Sequence, residues 1–220
     1  EAMDRQKAYP IDEALQLLRE LPESKFDETV ELAFRLGVDP RQSDQVVRGA
    51  VALPNGTGKK IRVAVVASGE AAEAAQEAGA DAVGFEDLIE RIKGGWMEFD
   101  TLIATPAAMK NLRPLGRVLG PRGLMPNPKT GTLTDDTASA VKEAKAGRVE
   151  YRTDRGACVH VPVGKRSFSV EALKENAMTV IQAIQRARPS NLKGTYMLNL
   201  SICSTMSPGI RVDLSSVAGG

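Results

Sequence analysis

Cys158 and His160 stand two residues apart in the run Ala157-Cys-Val-His-Val-Pro-Val163 of this 220-residue chain. A thiol becomes a nucleophile when a base lies within hydrogen-bond reach. In an extended run, alternation sends Val159, Val161 and Val163 to one face and Cys158 with His160 to the other, so the pair can share a face. His160 is, however, the only histidine. A lone strand histidine is more often a structural or surface residue than a base. Cys203 is far from Cys158 in sequence, and the two read as buried, reduced thiols. A zinc site needs four ligands, which one histidine and no close cysteine pair do not supply. Carboxylates are plentiful, but no spacing brings two of them together in a cleft.

Phosphate chemistry is the next candidate. The loop Ser68-Gly69-Glu70 follows an apolar run but lacks the second and third glycines of a dinucleotide fingerprint, and no P-loop occurs anywhere. Gly116, Gly120 and Gly123 follow a helical stretch inside a proline-rich loop, the wrong spacing for a phosphate cradle opening a helix. These patterns argue against an enzyme and imply no cofactor. The loop Leu115–Lys129 suggests something else. Its prolines and glycines restrict the backbone, while Arg117, Arg122 and Lys129 carry charge that no acid opposes. A stiff cationic loop loses little entropy on docking and can pair with phosphates.

The formal net charge is only +1, yet charge is segregated along the chain. Residues 1–56 hold seven basic against eleven acidic side chains (−4), residues 57–148 thirteen against twelve (+1), and residues 149–220 nine against five (+4). Thr101–Thr134 and Asn176–Val212 contain no acid at all. Segregation of this kind builds local positive surfaces on a nearly neutral molecule. Aromatic content of 4% excludes a multi-base stacking platform and fits contact with folded RNA better than with single strands. No run of about 18 apolar residues is present, so no membrane span is expected. The opening Glu1-Ala-Met-Asp lacks a secretory pattern, and the missing initiator Met points to a further N-terminal piece outside this sequence.

The elements that must position these groups fall into two styles. From Asp12, leucines 15, 18 and 21 recur at helical spacing until Pro22. Phe26, Val30, Leu32, Phe34 and Leu36 then alternate with polar residues as a half-buried strand whose Glu28 falls on the apolar face, where a carboxylate needs a partner. Arg48–Leu53 is a second strand. The middle differs: Ile61–Ala67, Asp81–Gly84 and Phe99–Ala104 read as strands alternating with helices at Glu70–Ala78, Glu86–Lys93 and Asp135–Ala146, with Ala107–Leu119 broken at Pro114. After Gly147, Val149–Thr153 and Ala157–Val163 read as a hairpin about Asp154-Arg-Gly156. Val170–Ala187 reads as a long helix, and Thr195–Thr205 and Ile210–Leu214 as strands.

Neither end of the chain has enough strands for a covered sheet by itself, but together they supply about five strands and two helices. The economical architecture is an α+β discontinuous domain, 1–56 plus 149–220, interrupted by an inserted α/β domain, 57–148. Glycines flank both crossings, so a hinge is expected at Thr57, Gly58 and Gly147.

The loop Leu115-Gly-Arg-Val-Leu-Gly-Pro-Arg-Gly-Leu-Met-Pro-Asn-Pro-Lys129 closely resembles the signature of large-subunit ribosomal protein one, the side-stalk family often called "L one". So do Lys25-Phe-Asp-Glu-Thr29, Gly37-Val-Asp-Pro40, Gly94-Gly-Trp-Met-Glu-Phe-Asp100, Lys145-Ala-Gly-Arg-Val-Glu150, Val161-Pro-Val-Gly-Lys165 and Ser204-Thr-Met206, in family order over nearly the whole chain. The resemblance implies a bacterial-type member with a Rossmann-like inserted domain. It implies a structural constituent of the large ribosomal subunit that binds the rRNA of the mobile stalk and assists exit-site tRNA movement and release. It also implies repression of translation of the protein's own mRNA, in a cytoplasmic protein that is a monomer outside the ribosome and needs no cofactor, metal or membrane. A stand-alone mRNA-binding repressor is the alternative, and a nucleotide-binding enzyme the remote one.

Carried over by position, the resemblance puts the principal RNA surface on the terminal domain. Lys25 and Thr29 supply a cation and a hydroxyl, and Phe26 supports them. Ser204, Thr205 and Met206 allow close approach and packing, with Arg152, His160 and Lys165 as neighbours. Arg117, Arg122 and Lys129 form a secondary RNA contact. Such reading of shape and 2′-hydroxyls suits RNA, whose major groove is poorly accessible. Ser207 belongs to the same surface; the family usually has glycine there, so either its Cβ crowds an approaching RNA or Gly209 takes over the turn.

Overall fold

The computed structural model describes Asp4 and residues 7–217, with only the backbone of Lys129. In chain order the elements are α1 (Ile11–Glu20), β1 (Thr29–Leu36), β2 (Arg48–Ala52), β3 (Val63–Val66), α2 (Glu70–Glu77), β4 (Ala82–Gly84), α3 (Glu86–Lys93) and β5 (Thr101–Ala104). Two single-turn helices follow, α4 (Met109–Leu112) and α5 (Gly116–Leu119), then α6 (Thr137–Lys145) and β6 (Arg148–Arg152). The chain ends with β7 (Cys158–Lys165), α7 (Val170–Arg186), β8 (Met197–Ser204) and β9 (Ile210–Val212). The protein is thus mixed α/β with several sheets. No described helix is long and apolar enough to cross a membrane.

Two compact units emerge: the chain up to Gly58 together with Val149 onward, and Lys59–Arg148. The first is built around an antiparallel sheet in the order β7-β1-β8-β9. In β1, Val30, Leu32, Phe34 and Leu36 are buried in alternation with Thr29, Glu31, Ala33 and Arg35, because successive side chains of a strand leave on opposite faces. Their buried face joins Val159, Val161 and Val163 of β7, Leu200 and Ile202 of β8, and the apolar stripes of α1 and α7 in one core. Each such side chain, once fully buried, contributes about 1.5–3 kcal/mol before the chain-entropy cost. The two ends meet directly: Tyr9 N–H donates to Arg211 O at 2.9 Å and Asp213 N–H to Tyr9 O at 2.8 Å. Ser169 caps α7 by accepting from Ala172 N–H at 3.1 Å, which satisfies one of the helix's orphan donors.

The second unit holds a parallel sheet in the order β4-β3-β5. Its central strand is buried throughout because both faces are covered: Val63 and Val65 pack with Ala75, Ala140, Val141 and Ala144 of α2 and α6. Ala64 and Val66 pack with Leu88 and Ile92 of α3, Leu112 and Leu119. The helix break falls at Arg113–Leu115, a 3-10 turn carrying Pro114. Proline lacks the donor needed to continue an α-helix there.

Two expectations fail locally. β6 and β7 do not form a hairpin; β6 pairs with β2 in a separate two-stranded sheet while β7 pairs with β1. The Asp154 carboxylate accepts from both Gly156 N–H and Cys158 N–H at 2.8 Å, and Thr153 turns away to exchange bonds with Val47. Side-chain bonds of this kind displace a ladder. The thiols of Cys158 and Cys203 are free but half-buried, not buried, since both lie on the outer face of the four-stranded sheet.

Candidate RNA interface

Thr29 opens β1 opposite Lys165, the last residue of β7. Next to it Val30 pairs with Ser204, the last residue of β8. Antiparallel pairing therefore brings three chain segments together at one end of the sheet. The Lys165 ammonium donates to the Thr29 hydroxyl at 2.9 Å and to Asp27 O at 3.3 Å. Thr29 N–H donates to Thr205 Oγ1 at 3.1 Å, and that hydroxyl in turn donates to Thr29 O at 3.4 Å. Ser207 tightens the following turn: Ser204 N–H donates to Ser207 Oγ at 2.8 Å and Ser207 N–H to Ser204 O at 3.2 Å. Around this join Lys25 is exposed, Phe26 is 54% exposed and Met206 71%.

Behind the exposed groups lies Glu28, only 1% exposed. Its carboxylate accepts hydrogen bonds from Ser24 and Ser204 hydroxyls and from Arg166 Nη1 at 3.3 Å. The Ser204 and Ser24 bonds, followed by Arg166, hold its pKa below the ordinary glutamate value against the opposing effect of burial. Arg166 also donates to the carbonyls that close α1, Pro22 O at 3.1 Å, Arg19 O at 3.2 Å and Leu21 O. Asp27 ties the same segment to Ser167 through Ser167 N–H at 3.1 Å and Ser167 Oγ at 2.8 Å. A shallow cleft runs beside it, lined by residues 23–28 with Arg166 and Ser167.

Several sequence-selected residues take other positions. Phe26 does not share the apolar face of β1, because the strand starts only at Thr29 and Glu28 takes the inward place. Ser204 is buried and its hydroxyl is committed to Glu28, so it supports the face from behind. Arg152 is exposed on β6, outside the four-stranded sheet, beside a notch lined by Pro40, Val46, Thr153, Asp154 and Arg155. His160 is exposed on β7 opposite Ala33, its Nδ1 3.8 Å from a Glu31 carboxylate oxygen. Cys203 faces the same carboxylate from β8; burial, then Glu31, pushes its thiol up to about 11. It stays a neutral thiol over the whole physiological range.

In the other unit, Leu112, Leu115 and Leu119 point inward while Lys110, Arg113, Arg117 and Arg122 are exposed. None of these four cations makes a salt bridge among the described residues. The Lys129 side chain lies outside the described residues. Arg166 was missed by sequence reasoning, although Glu28 on an apolar strand face had signalled that a buried partner must exist.

Residues 18–208 match the family described as "Ribosomal protein L1p/L10e family". The chain is 57% identical over 216 residues to the large ribosomal subunit protein uL1 of Methylobacillus flagellatus, covering 98% of this chain and 94% of that protein. The uL1 proteins of Alkalilimnicola ehrlichii, 57% identical over 217 residues, and Thiobacillus denitrificans, 56% over 218, are each matched across 99% of this chain and 94% of theirs. The chain belongs to the ribosomal protein L1p/L10e family.

That family is structural and not enzymatic, in agreement with the failed search for a nucleophile or a phosphate cradle. Its matched span includes the Lys25–Thr29 segment and ends at Pro208, just past Ser204–Ser207. The Lys25–Thr29 and Ser204–Ser207 segments of unit one therefore lie within the family match.

Proposed function

We propose that this protein is a structural constituent of the large ribosomal subunit, acting on the ribosome in the cytoplasm. It binds the rRNA of the mobile stalk with the edge formed by Lys25, Phe26, Thr29, Lys165 and Thr205–Ser207. The observation that carries this reading is the joining of Thr29, Lys165 and Thr205 into one hydrogen-bonded group, flanked by exposed Lys25, Phe26 and Met206. Lysines neutralise phosphates, hydroxyls reach ribose 2′-OH groups, and Phe26 with Met206 packs on sugar or base.

Arg117 and Arg122, with Lys129, supply a second and weaker phosphate contact, supported by the absence of any acid from Thr101 to Thr134 in the sequence and of any salt bridge at Arg117 or Arg122 among the described residues. The unit 59–148 acts as the inserted Rossmann-like domain, and the crossings at Thr57, Gly58 and Gly147 act as a hinge. Gly58 and Gly147 adopt the left-handed region, φ 71° and 101°. Movement there accompanies transfer and release of exit-site tRNA. The same RNA surface serves repression of the protein's own mRNA. Outside the ribosome the chain is a monomer.

Filter-binding titration against a stalk-rRNA fragment at two salt concentrations tests the reading. Thr205→Ala and Met206→Ala should each cost about 1–2 kcal/mol, and affinity should fall steeply with salt. A flat salt response together with silent substitutions would refute the site. Sucrose-gradient fractionation separates the two RNA roles, since a stand-alone repressor would be found only free of large subunits.

A further inference from the structure

We infer that Glu28 and Arg166 are positioning residues of the RNA site: a buried clasp that sets the geometry of the exposed groups while touching no RNA. The inference rests on the RNA reading above.

Every group at the site lies within three residues of this clasp. Thr29 follows Glu28, and Lys25 and Phe26 precede it by three and two residues; Lys165 precedes Arg166; Thr205, Met206 and Ser207 follow Ser204. The clasp closes these segments onto one another through the Glu28 carboxylate, which holds Ser24, Ser204 and Arg166. The backbone repeats the link, with Arg166 N–H donating to Glu28 O at 2.8 Å. Through its other guanidinium nitrogen Arg166 anchors the group to the end of α1.

A buried ion pair is a poor way to stabilise a fold. Removing two charges from water costs about as much as their attraction returns, and a well-packed apolar pair often does as well. Here the arrangement carries a further cost: Arg166, with an 8% exposed side chain, leaves its Nε buried and without a hydrogen-bond partner among the described residues, with only a Glu23 carboxylate oxygen 4.0 Å away. What charge-assisted bonds supply and apolar packing does not is direction. The carboxylate accepts at fixed angles from three segments, so the Thr205 hydroxyl and the Lys25–Thr29 backbone are ordered before RNA arrives. The entropy of ordering them is then not charged against binding.

The test is a double-mutant cycle in the full chain, read as affinity for the stalk-rRNA fragment well below the unfolding temperature. Glu28→Gln keeps the volume and removes the charge; it should weaken binding about tenfold with no change in the slope of log affinity against log salt, because Glu28 meets no phosphate. Combined with Thr205→Ala the loss should be smaller than the product of the single losses, since Thr205 is already displaced. Combined with Arg117→Ala it should equal that product. Multiplicative losses with Thr205→Ala, or unchanged affinity in Glu28→Gln while Thr205→Ala weakens binding, would overturn the clasp and leave the site reading intact. Silent Thr205→Ala and Met206→Ala would overturn the site reading and the clasp with it. Should Glu28→Gln fail to fold, Ser204→Ala removes one donor and leaves the ion pair. It must show the same shortfall with Thr205→Ala, and multiplicative losses there overturn the clasp.

Discussion

The Lys165 ammonium sits 2.9 Å from the Thr29 hydroxyl across the β1–β7 pair, held from its other side by Asp27 O at 3.3 Å. A lysine so tethered has lost much of its rotamer freedom before any ligand binds, and its charge stands at a fixed place on Thr29, whose backbone holds the Thr205 hydroxyl. Charge and hydroxyl should therefore separate in a salt titration. Lys165→Ala should weaken RNA binding and lower the salt slope by about one. Thr29→Val should weaken binding with the slope intact. Filter binding at four or five salt concentrations reads both.

Glu28 makes stability depend on pH in a defined direction. Its folded pKa is lowered, by Ser204 and Ser24 first and Arg166 after them, from the ordinary 4.5. The unfolded chain therefore binds the proton more readily. The contribution is fully present above pH 4.5 and is lost as pH falls through the folded value. Urea midpoints should drop between neutral pH and about pH 3.5 more steeply in the parent than in Glu28→Gln. Parallel curves would mean that the carboxylate contributes nothing.

Cys203 offers a test of the outer face. With Cys158 replaced by Ser, the remaining thiol, raised from 9.0 to about 11, should alkylate at pH 8 roughly a hundredfold more slowly than the same thiol in the unfolded chain. Glu31→Gln removes a repelling carboxylate, so it should lower the pKa and speed the reaction. Iodoacetamide labelling followed by mass spectrometry measures it.

Gly58 is both left-handed, φ 71°, and crowded: a Cβ there would come within 2.8 Å of Lys165 Cγ and 2.9 Å of Phe168 Cε1. Gly58→Ala should destabilise the protein by about 1–3 kcal/mol, visible as a lower thermal midpoint. Because Lys165 is what the new methyl meets, RNA affinity should fall as well. An unchanged midpoint would show that the crossing relaxes freely.

Much of the local structure was legible in the chain. The period-two run of β1, the continuous apolar β3 and the break at Pro114 all appear where the pattern puts them, since each depends on residues within a few positions. Glu28 announced a missing partner by standing on the apolar side of a strand. Its partner was not legible: Arg166 lies 138 positions away, and nothing local distinguishes it from other arginines. The β6–β7 hairpin was misread because Asp154 and Thr153 spend their side chains on backbone donors, a competition that turn propensity does not weigh. Phe26 was misplaced for a related reason, since alternation cannot say where a strand begins.

Periodicity alone determined which segments are strands and helices, apart from where β1 begins and what β6 pairs with. The ordered motifs determined the family. Tertiary structure decided which strand lies beside which, and so which hydroxyls and cations meet. That β1 takes β7 on one side and β8 on the other brings Thr29, Lys165 and Thr205 together. The reason is physical. Element type is set by interactions a few residues apart, whereas strand order is set by burying one shared core across more than a hundred residues, and only that burial brings the two ends of the chain to a single face.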